Sequence, residues 1–131
     1  MRFIYPNFPL HVDIFLHIAR CPGPYFRLLA KELGMPIGTL KYHLDKLTRD
    51  RLVYTLGRRP RYFPYTMPVE EAAVVYLVRE GPGALDAVEV RRCGRRLCPE
   101  IKELAMALVR QYPCLQRDLV ANFIDLFSQL L

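Results

Sequence analysis

The amino-acid sequence predicts a mainly α-helical fold with one small β-hairpin, and three observations indicate this fold class. Apolar residues recur every three or four positions in several stretches that proline or glycine separates. Strand-forming residues at 53–56 and 61–63 flank a Gly-Arg-Arg-Pro turn, as in a hairpin. Hydrophobic residues make up 52% and charged residues 24% of the 131-residue chain, which is ordinary for a globular protein. The length suits one domain, or a small domain with an appendage.

The predicted helices begin and end at recognisable signals. A Cys-Pro-Gly-Pro sequence ends the first helix, Gly34 ends the second, and Pro36 suits the start of the third. Residues 1–9 are broken by prolines and read as an extended arm, while residues 82–98 carry no clear signal. The predicted helices span residues 10–20, 25–33, 37–51, 68–80, 99–112 and 115–131. The inward positions that we expect in the first and third helices are Val12, Phe15, Ile18 and Ala19, and Ile37, Leu40, Leu44 and Leu47.

The net charge of +6 is confined to the first half of the chain. Residues 1–66 hold eleven basic and four acidic side chains, whereas residues 67–131 hold eight basic and nine acidic ones. This asymmetry fits a module that meets a polyanion joined to a module that meets protein. A basic face that is merely solvated accounts for the charge equally well.

Three small or apolar residues have the spacing of two short helices that cross over a tight turn. Ala30 allows the second and third helices to cross closely, and Gly34 can adopt the left-handed conformation of a turn residue. Leu40 packs the third helix into the angle between the two helices. The stretch LLAKELGMPIGTLKYHLDKLTRDRLVY, residues 28–54, resembles the winged helix-turn-helix regulators, particularly small archaeal members and the ArsR/MarR-like groups. The resemblance covers about residues 10–65.

This resemblance implies a winged helix-turn-helix DNA-binding domain at 1–66 and a C-terminal helical segment at 67–131. The helix at 37–51 would enter the major groove of double-stranded DNA, and a short wing would contact the backbone or minor groove. The implied function is a sequence-specific transcription regulator that represses by occupying a promoter, and not an enzyme. The expected DNA-contacting residues are Gly38, Thr39, Lys41, Tyr42 and Lys46 on the helix and Arg58, Arg59 and Arg61 on the wing.

Two other functions stay open at this point. Winged helices also serve as protein–protein adaptors in transcription or replication complexes, and the outward Asp45, which repels phosphate, favours that use. His43 precedes an inward leucine, so we expect it to pack and not to contact DNA. No phosphate loop, nucleophile elbow or metal-binding His-Glu helix is present in the sequence, so we expect no catalysis and no cofactor.

The four cysteines offer free thiols, a disulfide or a metal site. Cys93 and Cys98 are separated by four residues, which is within the range of zinc pairs, but no second close pair exists. We expect no metal and regard a Cys93–Cys98 disulfide as possible. A thiol-based redox regulator is therefore the second alternative.

The last predicted helix carries a wide apolar stripe. Such a stripe predicts a homodimer through the C-terminal helices. The two alternatives are a stripe that closes the core of its own chain and a degenerate second winged helix. No run of about 18 apolar residues and no signal peptide is evident, so we expect a cytoplasmic protein that does not enter the membrane. The stripe comprises Leu115, Leu119, Val120, Phe123, Ile124, Leu126, Phe127, Leu130 and Leu131.

Overall fold

The computed structural model describes residues 9–81, 83, 85 and 87–127, with side chains to residue 122. Apart from Pro9, the expected N-terminal arm therefore lies outside the described residues. The described part is mostly helical with two small sheets, and none of its helices is long and apolar enough to span a bilayer. The elements in chain order are α1 (Leu10–Arg20), α2 (Phe26–Leu33), α3 (Ile37–Arg49), β1 (Val53–Leu56), β2 (Arg61–Pro64), α4 (Val69–Glu80), β3 (Arg92–Cys93), β4 (Arg96–Leu97), α5 (Pro99–Gln111) and α6 (Gln116–Phe127).

The chain divides into two compact units. The first comprises Met1–Thr55 and Arg59–Met67, and the second comprises Leu56–Arg58 and Pro68–Leu131. Three helices followed by a hairpin are compatible with a winged helix.

The core of the first unit forms where α1, α2 and α3 meet. The apolar stripe of α3 is buried from its fourth residue onward, because Leu40, Leu44 and Leu47 recur at helical spacing and point to α1 and α2. Ile37 was expected to join this stripe, and that expectation was wrong, since its side chain is 57% exposed at the first position of α3. The remaining buried core residues of this unit include Ile14, Ile18, Leu29, Ala30, Leu33, Met35 and Val53.

The inward face of α1 agrees with the expected one at Ile18 and differs from it at the other expected positions. Ile14 and Ile18 are fully buried, whereas Val12 and Phe15 are only half-buried. Phe15 instead stacks on Tyr65, with ring centroids 5.9 Å apart. Because seven of the eleven residues of α1 are neither charged nor histidine, the apolar pattern left two faces nearly equal, and packing selects one.

Asp13 is the buried acid of α1, and neither of its carboxylate oxygens has a hydrogen-bond partner among the described residues. It lies in the first turn of the helix. The exposed N–H groups there give the helix end a partial positive charge that favours a carboxylate.

The core of the second unit forms around α4. Seven consecutive residues from Ala72 to Val78 are buried, which is expected of a helix enclosed by neighbours on every side. Asn122 of α6 donates its side-chain N–H to the Val78 carbonyl at 2.8 Å. α5 and α6 pack on α4, and a short 3-10 turn at Pro113–Leu115 precedes α6, so that helix begins one residue later than expected.

The region without a sequence signal contains a hairpin. β3 and β4 pair antiparallel with Arg92 opposite Leu97 and Cys93 opposite Arg96. A disulfide joins Cys93 and Cys98, whose Cα atoms lie 4.8 Å apart. Both sulfurs are therefore engaged with each other and not held as thiolates for a metal.

Candidate nucleic-acid interface

The turn between α2 and α3 is fixed by backbone hydrogen bonds. Gly34 ends α2 with φ 60° and ψ 34°, a left-handed conformation that glycine adopts without the steric cost of a side chain. The N–H groups of Gly34 and Met35 donate to the carbonyls of Lys31 (3.2 Å) and Ala30 (3.1 Å). Met35 is buried, so the turn is anchored to the core. The direction of α3 relative to α2 is thereby set by backbone geometry.

The outer face of α3 carries the predicted helix contacts. Gly38, Lys41 and Tyr42 are exposed, and 67% of the surface of Tyr42 is accessible to solvent. Thr39 and Lys46 are half-buried at the edges of this face. The buried leucines on the opposite side hold the helix to the core, so the five predicted residues are presented on one rigid element.

Gly38 has a place on this face that packing does not explain. An added Cβ would meet no atom within 4 Å, and its φ is not left-handed. A glycine inside a helix costs about 1 kcal/mol relative to alanine. Nothing in the described fold requires that cost, and a helix start that another molecule approaches closely would account for it.

Lys41 is paired on the surface of α3. Its Nζ lies 3.2 Å from a carboxylate oxygen of Asp45, one turn further along the helix. An exposed pair of this kind contributes only about 0.3–0.5 kcal/mol, so a phosphate can displace it. We expected Asp45 to oppose DNA binding. In the unbound protein it also partly neutralises the charge of Lys41 and orients its side chain.

His43 packs as expected from the sequence. It is half-buried, its ring stacks on His11 with centroids 6.5 Å apart, and Tyr42 meets it edge-on at 5.2 Å. Burial, followed by the charges of His11 and Lys46, lowers the pKa of His43. His43 is therefore a neutral support for Tyr42 near pH 7.

The hairpin turn after β1 carries two exposed arginines. Gly57 has φ +89°, and a side chain there would overlap the ring of Tyr76. Arg58 and Arg59 follow at the exposed tip. The Arg59 guanidinium lies over the ring of Tyr25, 4.2 Å from its centroid. The two arginines are thus accessible, and one of them is held in place.

Arg61 does not lie on the exposed wing where we expected it. Its side chain is buried to 6% exposure, and its Nη1 donates to the Gly23 carbonyl at 2.7 Å. The physical reason is strand alternation: Arg61 shares a face of β2 with Phe63, which is fully buried. Arg61 therefore belongs to the structural support of the hairpin and not to its contact surface.

A small set of hydrogen bonds joins β2 to the segment before α2. The Gly23 N–H donates to the Tyr62 carbonyl at 2.8 Å, and the Tyr62 N–H donates to the Pro24 carbonyl at 2.9 Å. Tyr25 and Arg61 form an isolated antiparallel bridge. Burial and the charge of Asp45 raise the pKa of Tyr62, so its hydroxyl stays protonated. This pairing fixes the base of the hairpin.

Sequence reasoning missed the role of Tyr25. The residue lies between a proline and the start of α2, and it is 34 positions from the arginine that it contacts. No local periodicity connects two such residues. The alternation of β2 could have revealed the inward side chain of Arg61, since residues two apart share a strand face.

Comparison with known proteins shows similarity to a transcription regulator. The chain is 33% identical over 70 residues to an uncharacterized HTH-type transcriptional regulator of Methanocaldococcus jannaschii. The matched residues are 52% of this chain but span only 18% of the length of that protein. No protein-family model matches the chain, and no solved structure does so either.

Proposed function

We propose that this chain is a winged helix-turn-helix transcription regulator that binds double-stranded DNA through the outer face of α3. The observation that carries the proposal is the uncovered face of that helix, where an exposed lysine and tyrosine stand beside a glycine that the fold does not require. The similarity to an HTH-type transcriptional regulator supports the same function. The excess of positive charge in the first 66 residues favours a polyanionic partner.

In this proposal α3 lies in the major groove. Thr39, Lys41, Tyr42 and Lys46 face base edges and phosphates, and Gly38 allows the helix start to approach the DNA. Arg58 and Arg59 contact the backbone. Specificity comes from the base edges, and occupancy of a promoter represses transcription.

We also propose that the protein acts as a homodimer through α5 and α6. A groove of about 640 Å³ lies between these helices, and Val120 at its edge is 71% exposed. Two recognition helices about 34 Å apart would then read a near-palindromic site. Leu115 and Leu119 are buried within the second unit and do not contribute to the dimer. The side chains of residues 123–131 lie outside the described ones. A monomer mass by light scattering at micromolar concentration would contradict the dimer.

Fluorescence anisotropy of mixed-sequence duplex DNA tests the proposed binding. We expect the affinity of the wild-type protein to fall with salt at a slope of about −0.9 per phosphate contact. Lys41→Ala and Arg59→Ala should each weaken binding and make the slope shallower by about one contact. Arg95→Ala removes an exposed arginine in the turn between β3 and β4, outside both proposed interfaces, and should leave the slope unchanged. A slope that all three substitutions alter equally would show general charge attraction and no defined interface.

A protein adaptor is the second candidate function. Ile37 and Tyr42 are large apolar side chains exposed on α3, and exposed aromatic residues are common at protein interfaces. Asp45 on the same face opposes phosphate. Absence of duplex binding at low salt, together with tight binding of a transcription or replication protein that Tyr42→Ala abolishes, would favour this candidate.

A further inference from the structure

Tyr25 has a position in the first unit that the proposed DNA contacts do not yet use. Two guanidinium groups face its ring: Arg59 at 4.2 Å and Arg61 at 5.1 Å from the ring centroid. Tyr25 itself is half-buried. Its backbone is tied to β2 through the bridge with Arg61. The ring is therefore fixed to the base of the hairpin while Arg59 lies at the exposed tip.

The stacked geometry suits a phosphate contact. A guanidinium that lies over an aromatic ring uses its flat face, and its five N–H donors project from the edge. Those donors can form the bidentate contact with a phosphate that a guanidinium favours. An unstacked arginine at the tip of a turn would have to lose side-chain conformational entropy on binding. Stacking removes part of that loss before DNA arrives.

Arg61 completes the arrangement. Its bond to the Gly23 carbonyl fixes its side chain, so its charge stays beside Tyr25 and Arg59. A buried positive charge close to the tip raises the local potential for an anion without any direct contact. Tyr25, Arg59 and Arg61 thus form one unit, which we call the wing platform.

We propose that Tyr25 is a positioning residue of the DNA interface, which holds the Arg59 guanidinium over its ring so that Arg59 contacts a backbone phosphate. This inference rests on the proposed DNA-binding function and names the residue that makes the wing effective. Tyr25 does not contact DNA itself.

The test is a double-mutant cycle measured by fluorescence anisotropy with a mixed-sequence duplex. Tyr25→Phe keeps the ring and should bind within about two-fold of wild type. Tyr25→Leu removes the ring and should weaken binding about two- to five-fold, as for an exposed cation–π contact. In an Arg59→Ala background, Tyr25→Leu should cause no further loss. Arg59→Lys keeps the charge but not the planar stack, and it should lose as much affinity as Tyr25→Leu.

A second readout observes the platform without DNA. The ring current of Tyr25 should shift the Arg59 Hδ resonances upfield in the wild type and in Tyr25→Phe, and the shift should vanish in Tyr25→Leu. This spectrum also shows whether Tyr25→Leu remains folded. If Tyr25→Leu does not fold, Arg59→Lys replaces it as the variant without the planar stack. Tyr25→Phe remains the variant that keeps the ring.

The outcomes separate the two ideas. Wild-type protein that fails to bind duplex at low salt overturns the proposed function, and this inference with it. Wild-type binding that Arg59→Ala weakens but Tyr25→Leu leaves unchanged overturns the inference alone. Equal losses from Tyr25→Leu with and without Arg59 would also overturn it, because Tyr25 would then act through another group.

Discussion

Substitution of Gly38 by alanine should change stability and DNA affinity in opposite directions. Gly38 is the second residue of α3, and an added Cβ meets no atom within 4 Å. Alanine lowers the entropy of the unfolded chain and favours helix by about 1 kcal/mol in a helix interior. Near the first turn, where backbone hydrogen bonding is incomplete, we expect about 0.5–1 kcal/mol of added stability. This corresponds to a rise in Tm of roughly 2–5 °C.

The same methyl group should weaken DNA binding if the start of α3 approaches the DNA closely. Loss of one good contact corresponds to about 1–3 kcal/mol, so we expect about a five-fold or larger loss of affinity. Thermal unfolding followed by circular dichroism measures stability, and fluorescence anisotropy measures affinity.

Gly83→Ala is the matched control. Gly83 also has no atom within 4 Å of an added Cβ and no left-handed φ, and it lies outside the proposed interface. It should leave affinity unchanged. A Gly38→Ala protein that is more stable and binds DNA as tightly as wild type would refute the close approach. A Gly38→Ala protein that is less stable than wild type would contradict the finding that an added Cβ at this position meets no other atom.

Three further predictions concern the hairpin, the packed histidine and the disulfide. Arg61→Ala should lower the free energy of unfolding by about 1–3 kcal/mol, since it leaves the buried carbonyl partner unsatisfied, whereas Arg58→Ala should change it by less than about 0.5 kcal/mol in urea unfolding. The pKa of His43 is lowered in the folded state, so the unfolded chain binds more protons below the ordinary value of 6.5. The free energy of unfolding should therefore fall as the pH drops through that value, and His43→Gln should make this decrease smaller. Reduction of the Cys93–Cys98 disulfide should leave DNA affinity unchanged, as should replacement of both cysteines by serine; a redox-dependent affinity that the serine variant lacks would favour the thiol-regulator alternative.

The sequence predicted the buried leucines of α3 correctly, although not the exposure of Ile37, because their pattern has one solution. Leu40, Leu44 and Leu47 lie on one side and charged residues lie on the other, so only one face can be buried. Gly34 marked the turn because few other residues adopt its conformation without strain. Where a pattern admits a single inward face, the core and the outer surface of a helix both follow from it.

Other features depend on contacts that a local pattern does not contain. The apolar residues of α1 permit two inward faces, and the packing of α3 decides between them. β3 and β4 have two residues each, which is too short for an alternating signal. The stacking of Arg59 on Tyr25 joins distant parts of the chain. These features follow from tertiary packing, so the sequence could suggest them only weakly.

Backbone amide chemical-shift mapping shows whether DNA binds to the outer face of α3. Uniformly ¹⁵N-labelled protein would be titrated with a mixed-sequence duplex at low salt. Binding through the outer face of α3 predicts that the largest shifts fall on residues 38–46 and 58–59, and that residues 100–110 of α5 stay unchanged. Shifts that concentrate on α5 and α6, or a spectrum that the duplex does not alter, would contradict it.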